Sequence, residues 1–204
     1  MTSKRNVEDQ VLDAAHTCVA AFGVQRTTLT DVARRAGVSR PTVYRRWPDV
    51  TSIVGDLLTR ELQALLSDCV ADSSAEPGTN TGTETVREQL VATGGCLVTK
   101  VREHSLFVRI IDNEPELLAT YTFHRLGASQ QAVLAVLVPQ LAAGQAEGSI
   151  RPGEPEALAR MVLLAAQTTV LSWRLTTDVV TPAQLTAELG HLLDAYLRPE
   201  PEPR

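Results

Sequence analysis

The chain has 204 residues, 19 basic and 24 acidic, for a formal charge of −5 at pH 7, with 44% hydrophobic residues and only 4% aromatics. That length accommodates one large domain or two small ones, and the long apolar-periodic stretches exclude a wholly disordered chain. The acidic total, taken alone, argues against a basic protein that coats nucleic acid. Cys18, Cys69 and Cys96 are odd in number and widely spaced, without a C-x-x-C pair. No extracellular disulfide framework is therefore expected, and a reducing, cytoplasmic location fits. The opening residues turn acidic before any apolar run, unlike a secretory signal. The most apolar runs, Ala132 to Val138 and Met161 to Leu171, fall short of the roughly 20 residues that cross a bilayer, so no membrane association is expected.

In chain order, a short polar arm containing Lys4 and Arg5 precedes a first helix, with Asn6 as its N-cap and Glu8 and Asp9 in the first turn, where the helix dipole favours acids. Val7, Val11, Ala14, Ala15, Cys18 and Phe22 give it one apolar face, and Gly23 ends it. Thr30 is placed as the N-cap of a short helix from Asp31 to Ala36, which Gly37 stops. Ser39 caps a third helix from Arg40 to Trp47, with Pro41 in a first turn that has no intrahelical donor to lose. Pro48 closes this segment. A longer amphipathic helix from Asp49 to about Asp68 carries Ile53, Leu57, Leu58, Leu62, Leu65 and Leu66, and the turn-rich stretch 72–83 reads as a mobile loop.

Helical patterns resume over 84–103 and 105–112, and Pro115 can open a short helix ending before Gly127. A helix over 128–147 contains Pro139, where a kink is expected. The Arg151-Pro-Gly turn separates it from a helix over 155–176, and Thr181-Pro182 caps a last helix to Leu197. The tail from Arg198 alternates proline and charge and should be extended. No period-two pattern suggests a strand. The expected fold class is all-α with about nine helices: an N-terminal three-helix helix-turn-helix domain (1–48), a larger helical ligand-binding and dimerisation domain (49–197) and a disordered tail (198–204).

The strongest motif lies between Leu29 and Trp47. A helix-turn-helix needs a small residue at the helix crossing, a glycine at the turn and apolar residues to fix the angle. Ala33, Gly37 and the set Val32, Val38 and Val43 supply them. Residues 26–47 also hold six arginines against one acid, Asp31, a local charge of +5 that leaves −10 for the rest of the chain. A generic charge run is usually a solvated helix face. Here the arginines surround a turn with helix-turn-helix spacing, and Ser39, Thr42 and Tyr44 add groups suited to phosphate and groove contacts. DNA binding is the expectation.

The stretch Thr27-Thr-Leu-Thr-Asp-Val-Ala-Arg-Arg-Ala-Gly-Val-Ser-Arg-Pro-Thr-Val-Tyr-Arg-Arg-Trp-Pro-Asp49, with Ala15 and Phe22-Gly23 before it, resembles the tetracycline-repressor-type (TetR) family of bacterial regulators. The close resemblance covers roughly the first 60 residues. Beyond them the helical architecture and the Gly148-Ser-Ile-Arg-Pro turn agree. The resemblance implies a homodimer whose third helix enters the major groove of an operator. Arg40, Pro41 and Thr42 fall where the family contacts bases. Tyr44 falls at a phosphate-packing position, and Thr28 and Thr30 near the phosphate-facing start of the second helix. With Lys4, Arg5, Ser39, Arg45 and Arg46 they make up the expected DNA-binding set. One departure is Val50, after Asp49, where the family usually has a phosphate-reaching lysine. That contact is lost, or Arg45 and Arg46 replace it.

In the second half, Met161 to Trp173 shows no charged face for over three turns, so the core covers one side and a partner or ligand the other. Leu164, Thr168, Leu171 and Leu175, with Leu185, Leu189, Leu192 and Tyr196 of the last helix, form the expected dimer interface, a four-helix bundle of two helices per subunit. Intramolecular core is the competing reading for each leucine. Cys96, His104, Phe107, Arg109, Tyr121, Phe123, Met161, Gln167 and Trp173 form the expected pocket, mainly apolar with few polar anchors, for an unknown small-molecule effector. The function expected is a ligand-responsive repressor on a palindromic operator. The alternatives are a ligand-independent DNA-binding protein, or an all-α enzyme using Cys96 and His104. The four histidines show no metal spacing and Gly94-Gly95-Cys96 lacks a nucleophile-elbow context, so no catalytic residue, metal or cofactor is expected.

Overall fold

The computed structural model describes residues 4–75, 84–114, 116 and 126–200. Among the described residues all regular structure is helical: α1 (Lys4–Phe22), α2 (Leu29–Ala36), α3 (Arg40–Arg46), α4 (Val50–Ala75), α5 (Val86–Glu103), α6 (Ser105–Asn113), α7 (Ala128–Glu147), α8 (Pro155–Ser172) with a 3-10 turn (Trp173–Thr176), and α9 (Pro182–Leu197). The all-α expectation holds. None of these helices is long and apolar enough to cross a membrane.

Several boundaries move for local reasons. Thr28, not Thr30, caps α2: its hydroxyl accepts the Asp31 N–H at 3.1 Å. Asp49 does the same for α4, accepting the Ser52 N–H at 2.7 Å. The α4 helix runs on through Asp72 to Ala75, into what the sequence suggested was the start of a loop. The rest of that loop and most of the short helix after Pro115 lie outside the described residues, as does the end of the tail. Pro139 sits inside a continuous α7.

The chain forms two compact units, Met1–Leu62 with Glu103–Ser129, and Gln63–Arg102 with Gln130–Arg204. A boundary at residue 48 therefore does not coincide with a break in packing. The first unit has one core in which Val11, Ala15, Cys18 and Val19 of α1 meet Leu29, Val32, Ala33, Val43 and Trp47, together with Ile53, Val54 and Leu57 of α4 and Leu106 and Ile110 of α6. The three-helix motif alone has too little apolar surface to close such a core, and α4 and α6 complete it. Phe22, expected on the buried face of α1, is exposed.

The second unit buries Leu90 and Val98 of α5, Leu134 and Leu141 of α7, Leu158 and Val162 of α8, and Leu189, Leu193 and Leu197 of α9. Its α7–α8 turn is tied down at both ends. The Gly144 carbonyl accepts the N–H groups of Ser149 (2.9 Å) and Ile150 (3.1 Å), and the Arg151 N–H donates to the Leu197 carbonyl at 2.8 Å. Ile150 fills the space where a side chain on Gly144 would lie. Arg87 of α5 donates to the Ser149 carbonyl at 3.0 Å and pairs with Asp194 of α9. Thr181 and Gln184 form a reciprocal capping box at the start of α9, each side chain accepting the other residue's backbone N–H, at 3.3 and 2.8 Å.

Candidate nucleic-acid interface

The helix-turn-helix is set from the inside. Val32, Ala33, Val43 and Trp47 are buried, and Gly37 adopts φ 66° between α2 and α3. Only a residue without a β-carbon takes that left-handed conformation readily. Its N–H and that of Val38 reach back to the Arg34 and Ala33 carbonyls, at 3.3 and 3.1 Å, closing the end of α2. Ser39 caps α3: its hydroxyl lies 3.4 Å from the Thr42 N–H and 2.7 Å from the Thr42 hydroxyl. With Val43 and Trp47 turned inward, the other face of α3 presents Arg40, Pro41, Tyr44 and Arg45 to solvent. Tyr44 is 50% exposed, an unusual position for a large ring unless it meets a partner.

Four of the six arginines of this region divide into two groups. Arg34 is held by Asp31 at 2.7 Å on the surface. Arg46 lies 3.2 Å from both Glu8 of α1 and Asp56 of α4, and stacks over the Trp47 ring at 5.5 Å. Trp47 in turn donates its indole N–H to Asp56 at 2.9 Å. Arg46, expected to contact DNA, thus also makes surface ion pairs to α1 and α4. Arg40 and Arg45 have no ion pair among the described residues, and their charge is open to an external phosphate or base edge. Thr28 is exposed, with its hydroxyl on the Asp31 carboxylate at 2.5 Å, and Thr30 is half-buried. The backbone of Lys4 and Arg5 is helical, within α1 rather than in an extended arm. Val50, at the position of the missing lysine, packs against the core.

Two further ties secure the unit. The buried Glu114 carboxylate accepts the Val24 N–H at 3.1 Å, bracing the α1–α2 turn from the end of α6. Arg60 of α4 pairs with Asp13 (2.8 Å) and Glu61 (2.8 Å), and its guanidinium reaches the Asp9 carbonyl at 3.4 Å. Burial opposes the charge on Arg60, but those two carboxylates outweigh it and hold its pKa above the ordinary arginine value. Burial pushes the Cys18 thiol up, against the charges of Arg35 and Arg34, leaving a structural rather than reactive sulfur. Glu114, Asp56, Glu8 and Arg60 were not in the expected site. Their partners lie up to 90 residues away, beyond any local spacing rule.

The expected pocket residues fall in both units. In the first unit, His104 lies 3.8 Å from Glu61 and meets the Phe107 ring edge-on at 5.4 Å. The Arg109 guanidinium would lie 3.9 Å from a β-carbon at Gly23, so it sits beside the α1–α2 turn. In the second unit, Gln167 accepts from Gln130 at 2.5 Å, and Trp173 lies under the Arg102 guanidinium at 4.9 Å. Arg102 Nε is buried without a hydrogen-bond partner. Met161 is 51% exposed on α8. Cys96, expected in the pocket, is joined to Cys69 by a disulfide. Tyr121 and Phe123 lie outside the described residues. Of the expected dimer residues, Leu164, Thr168, Leu175 and Leu192 are exposed, while Leu171 and Leu185 are half-buried. Leu189 is in the core of its own unit, and the Tyr196 ring lies beneath Arg151 at 4.5 Å.

Residues 11–55, which hold this motif, match the family described as bacterial regulatory proteins, tetR family. The chain is 39% identical over 188 residues to the uncharacterized HTH-type transcriptional regulator Mb2274c of Mycobacterium bovis, covering 92% of this chain and 93% of that one. It is 23% identical to the HTH-type regulator YhgD of Bacillus subtilis, covering 80% and 82%. The structure of the R. erythropolis transcriptional repressor QsdR superposes with a TM-score of 0.68 at 13% identity, covering 98% and 100%. FadR from Bacillus subtilis in complex with stearoyl-CoA gives 0.62 at 18% identity, covering 93% and 99%. A capped helix-turn-helix with an exposed basic third helix, and near-full-length likeness to HTH-type regulators, make this chain a DNA-binding transcriptional regulator of the tetR family.

Proposed function

We propose that the protein is a cytoplasmic, ligand-responsive repressor that binds a palindromic operator as a homodimer and leaves it when a mainly apolar small molecule binds. The observation that carries the reading is the outer face of α3, where Arg40 and Arg45 are exposed without ion-pair partners among the described residues, beside Pro41, Tyr44 and Thr42. In this reading Arg40 and Thr42 would meet base edges, and Arg45 and Tyr44 would meet phosphate. The dimer reading is supported by Met161, Leu164, Leu175, Val179 and Leu192, large apolar side chains left exposed on α8, α9 and the segment between them. Two-fold pairing of such surfaces would space the α3 helices about 34–36 Å apart or a multiple of it.

Effector release is supported by fold neighbours solved with stearoyl-CoA and with triclosan. A coupling of about 1–3 kcal/mol between effector and operator is sufficient for control. The α4 helix, continuous from Val50 to Ala75, is the element through which such coupling would pass.

Operator sequences selected from random duplexes, followed by anisotropy titrations, test this. Arg40→Ala should lower operator affinity by about 1–3 kcal/mol while random-duplex affinity changes little. Equal loss on both duplexes would reassign Arg40 to phosphate. A thermal-shift panel including stearoyl-CoA and triclosan should yield a ligand that also weakens operator binding. A stabilising ligand with no effect on the operator would favour the ligand-independent reading.

A further inference from the structure

We propose that Cys69 and Cys96 form a reversible thiol–disulfide site, which lets a peroxide or a low-molecular-weight disulfide clamp the C-terminal half of α4 onto α5. Cys69 lies on α4 and Cys96 on α5, with Cα atoms 5.9 Å apart and the sulfurs bonded across 27 residues of sequence. A regulator bound to chromosomal DNA works among reducing thiols, where a disulfide is usually transient and redox-sensing rather than permanent. The two sulfurs differ in access: Cys69 is 1% exposed, whereas Cys96 is only partly buried. The third thiol, Cys18, is buried in the core of the first unit, and burial holds it protonated.

That asymmetry assigns the steps. In oxidation, the Cys96 thiolate attacks a peroxide, the O–O bond breaks, and Cys96 becomes a sulfenic acid as hydroxide leaves. Cys69 sulfur then displaces the sulfenic oxygen, which departs with a proton as water, and the disulfide forms. In reduction, an external thiolate attacks Cys96 sulfur, and the bonding pair passes to Cys69, which takes a proton. A second thiolate attacks the external sulfur of the mixed disulfide, freeing Cys96 and carrying away the oxidised carrier.

The bond has a structural consequence because α5 is already seated on its other side. A β-carbon on Gly94 would lie 3.5 Å from Leu193 and one on Gly95 3.3 Å from Thr186, so the residues preceding Cys96 bring α5 close against α9. On the α4 side, the Lys100–Asp72 pair at 2.8 Å is an exposed contact of the kind that contributes little. Oxidation therefore adds a covalent tie between α4 and α5 beside that exposed pair.

The test uses the full-length protein equilibrated with graded ratios of reduced to oxidised glutathione, and separately with hydrogen peroxide. Each sample is acid-quenched, denatured, alkylated and analysed by intact mass and peptide mapping. The expected result is loss of two of the three alkylatable thiols, a single Cys69–Cys96 linked peptide, alkylated Cys18 throughout, and full reversal by dithiothreitol. Neither Cys69→Ser nor Cys96→Ser should form an internal link. Reduction should also lower Tm by roughly 5–10 °C for a loop of this length and raise amide exchange in 63–75 and 86–102 without changing it in 29–46. A bond that survives native incubation in excess reduced glutathione, one that forms at no ratio, a link through Cys18, or exchange that ignores the bond would overturn the proposal.

Discussion

Replacing Gly37 by alanine isolates the backbone cost of the turn that orients α3. Its φ of 66° is left-handed, yet nothing lies within 4 Å of the position a β-carbon would take. The substitution therefore meets no clash, and its whole effect is conformational. A left-handed alanine costs roughly 1–2 kcal/mol, and the smaller unfolded-state entropy of alanine returns about 0.4–1 kcal/mol. The net loss should be about 1 kcal/mol, or roughly a fivefold shift in the folding equilibrium. Gly37→Asn should fall between the two, because asparagine tolerates this region through local hydrogen bonding. Urea denaturation is the assay, with the midpoint lowered in the order Gly37, Asn, Ala and the slope unchanged. If alanine matches the wild type, or asparagine is the worse of the two, the left-handed turn is not what sets α2 against α3.

Substitutions at three other positions test ties within the two units. Trp47→Phe removes the indole donor to Asp56 and part of a fully packed side chain. It should cost about 2 kcal/mol in urea melts, and operator affinity should fall as the end of α3 loosens. Glu114→Ala leaves the Val24 N–H without its carboxylate and should destabilise by about 1.5–3 kcal/mol, with Glu114→Gln recovering part of it. A neutral Ala variant would mean that α6 does not brace the turn. Thr181→Ala breaks the capping box of α9 and should cost about 1 kcal/mol, read as a lower midpoint with unchanged binding to DNA.

The helix-turn-helix was legible because each of its requirements is local. A left-handed glycine, a hydroxyl cap and apolar residues at three- and four-residue steps interact within one or two turns, so their spacing carries the structure. The caps were harder to place. Thr28 and Thr30 are both acceptable caps for α2, and only the Asp31 N–H decides between them. The ion pairs of Arg46 were not legible for a different reason. As one of six arginines in a basic segment it looks like its neighbours, and it is set apart only by Glu8 and Asp56, carboxylates from two other helices. The surroundings of two expected pocket residues are likewise set at long range: Arg109 lies beside the α1–α2 turn and Cys96 on Cys69.

By itself, then, the sequence determined the helical class, the position of the DNA-binding motif and the concentration of positive charge in it. Each of these depends on composition or on contacts between residues a few positions apart. Tertiary structure decided which arginines pair with carboxylates, that α4 and α6 complete the core beneath the motif, that Leu189 is core rather than surface, and that Cys69 meets Cys96. Those outcomes depend on which faces of distant helices are brought together, and helical periodicity gives a face its character without naming the surface it will meet.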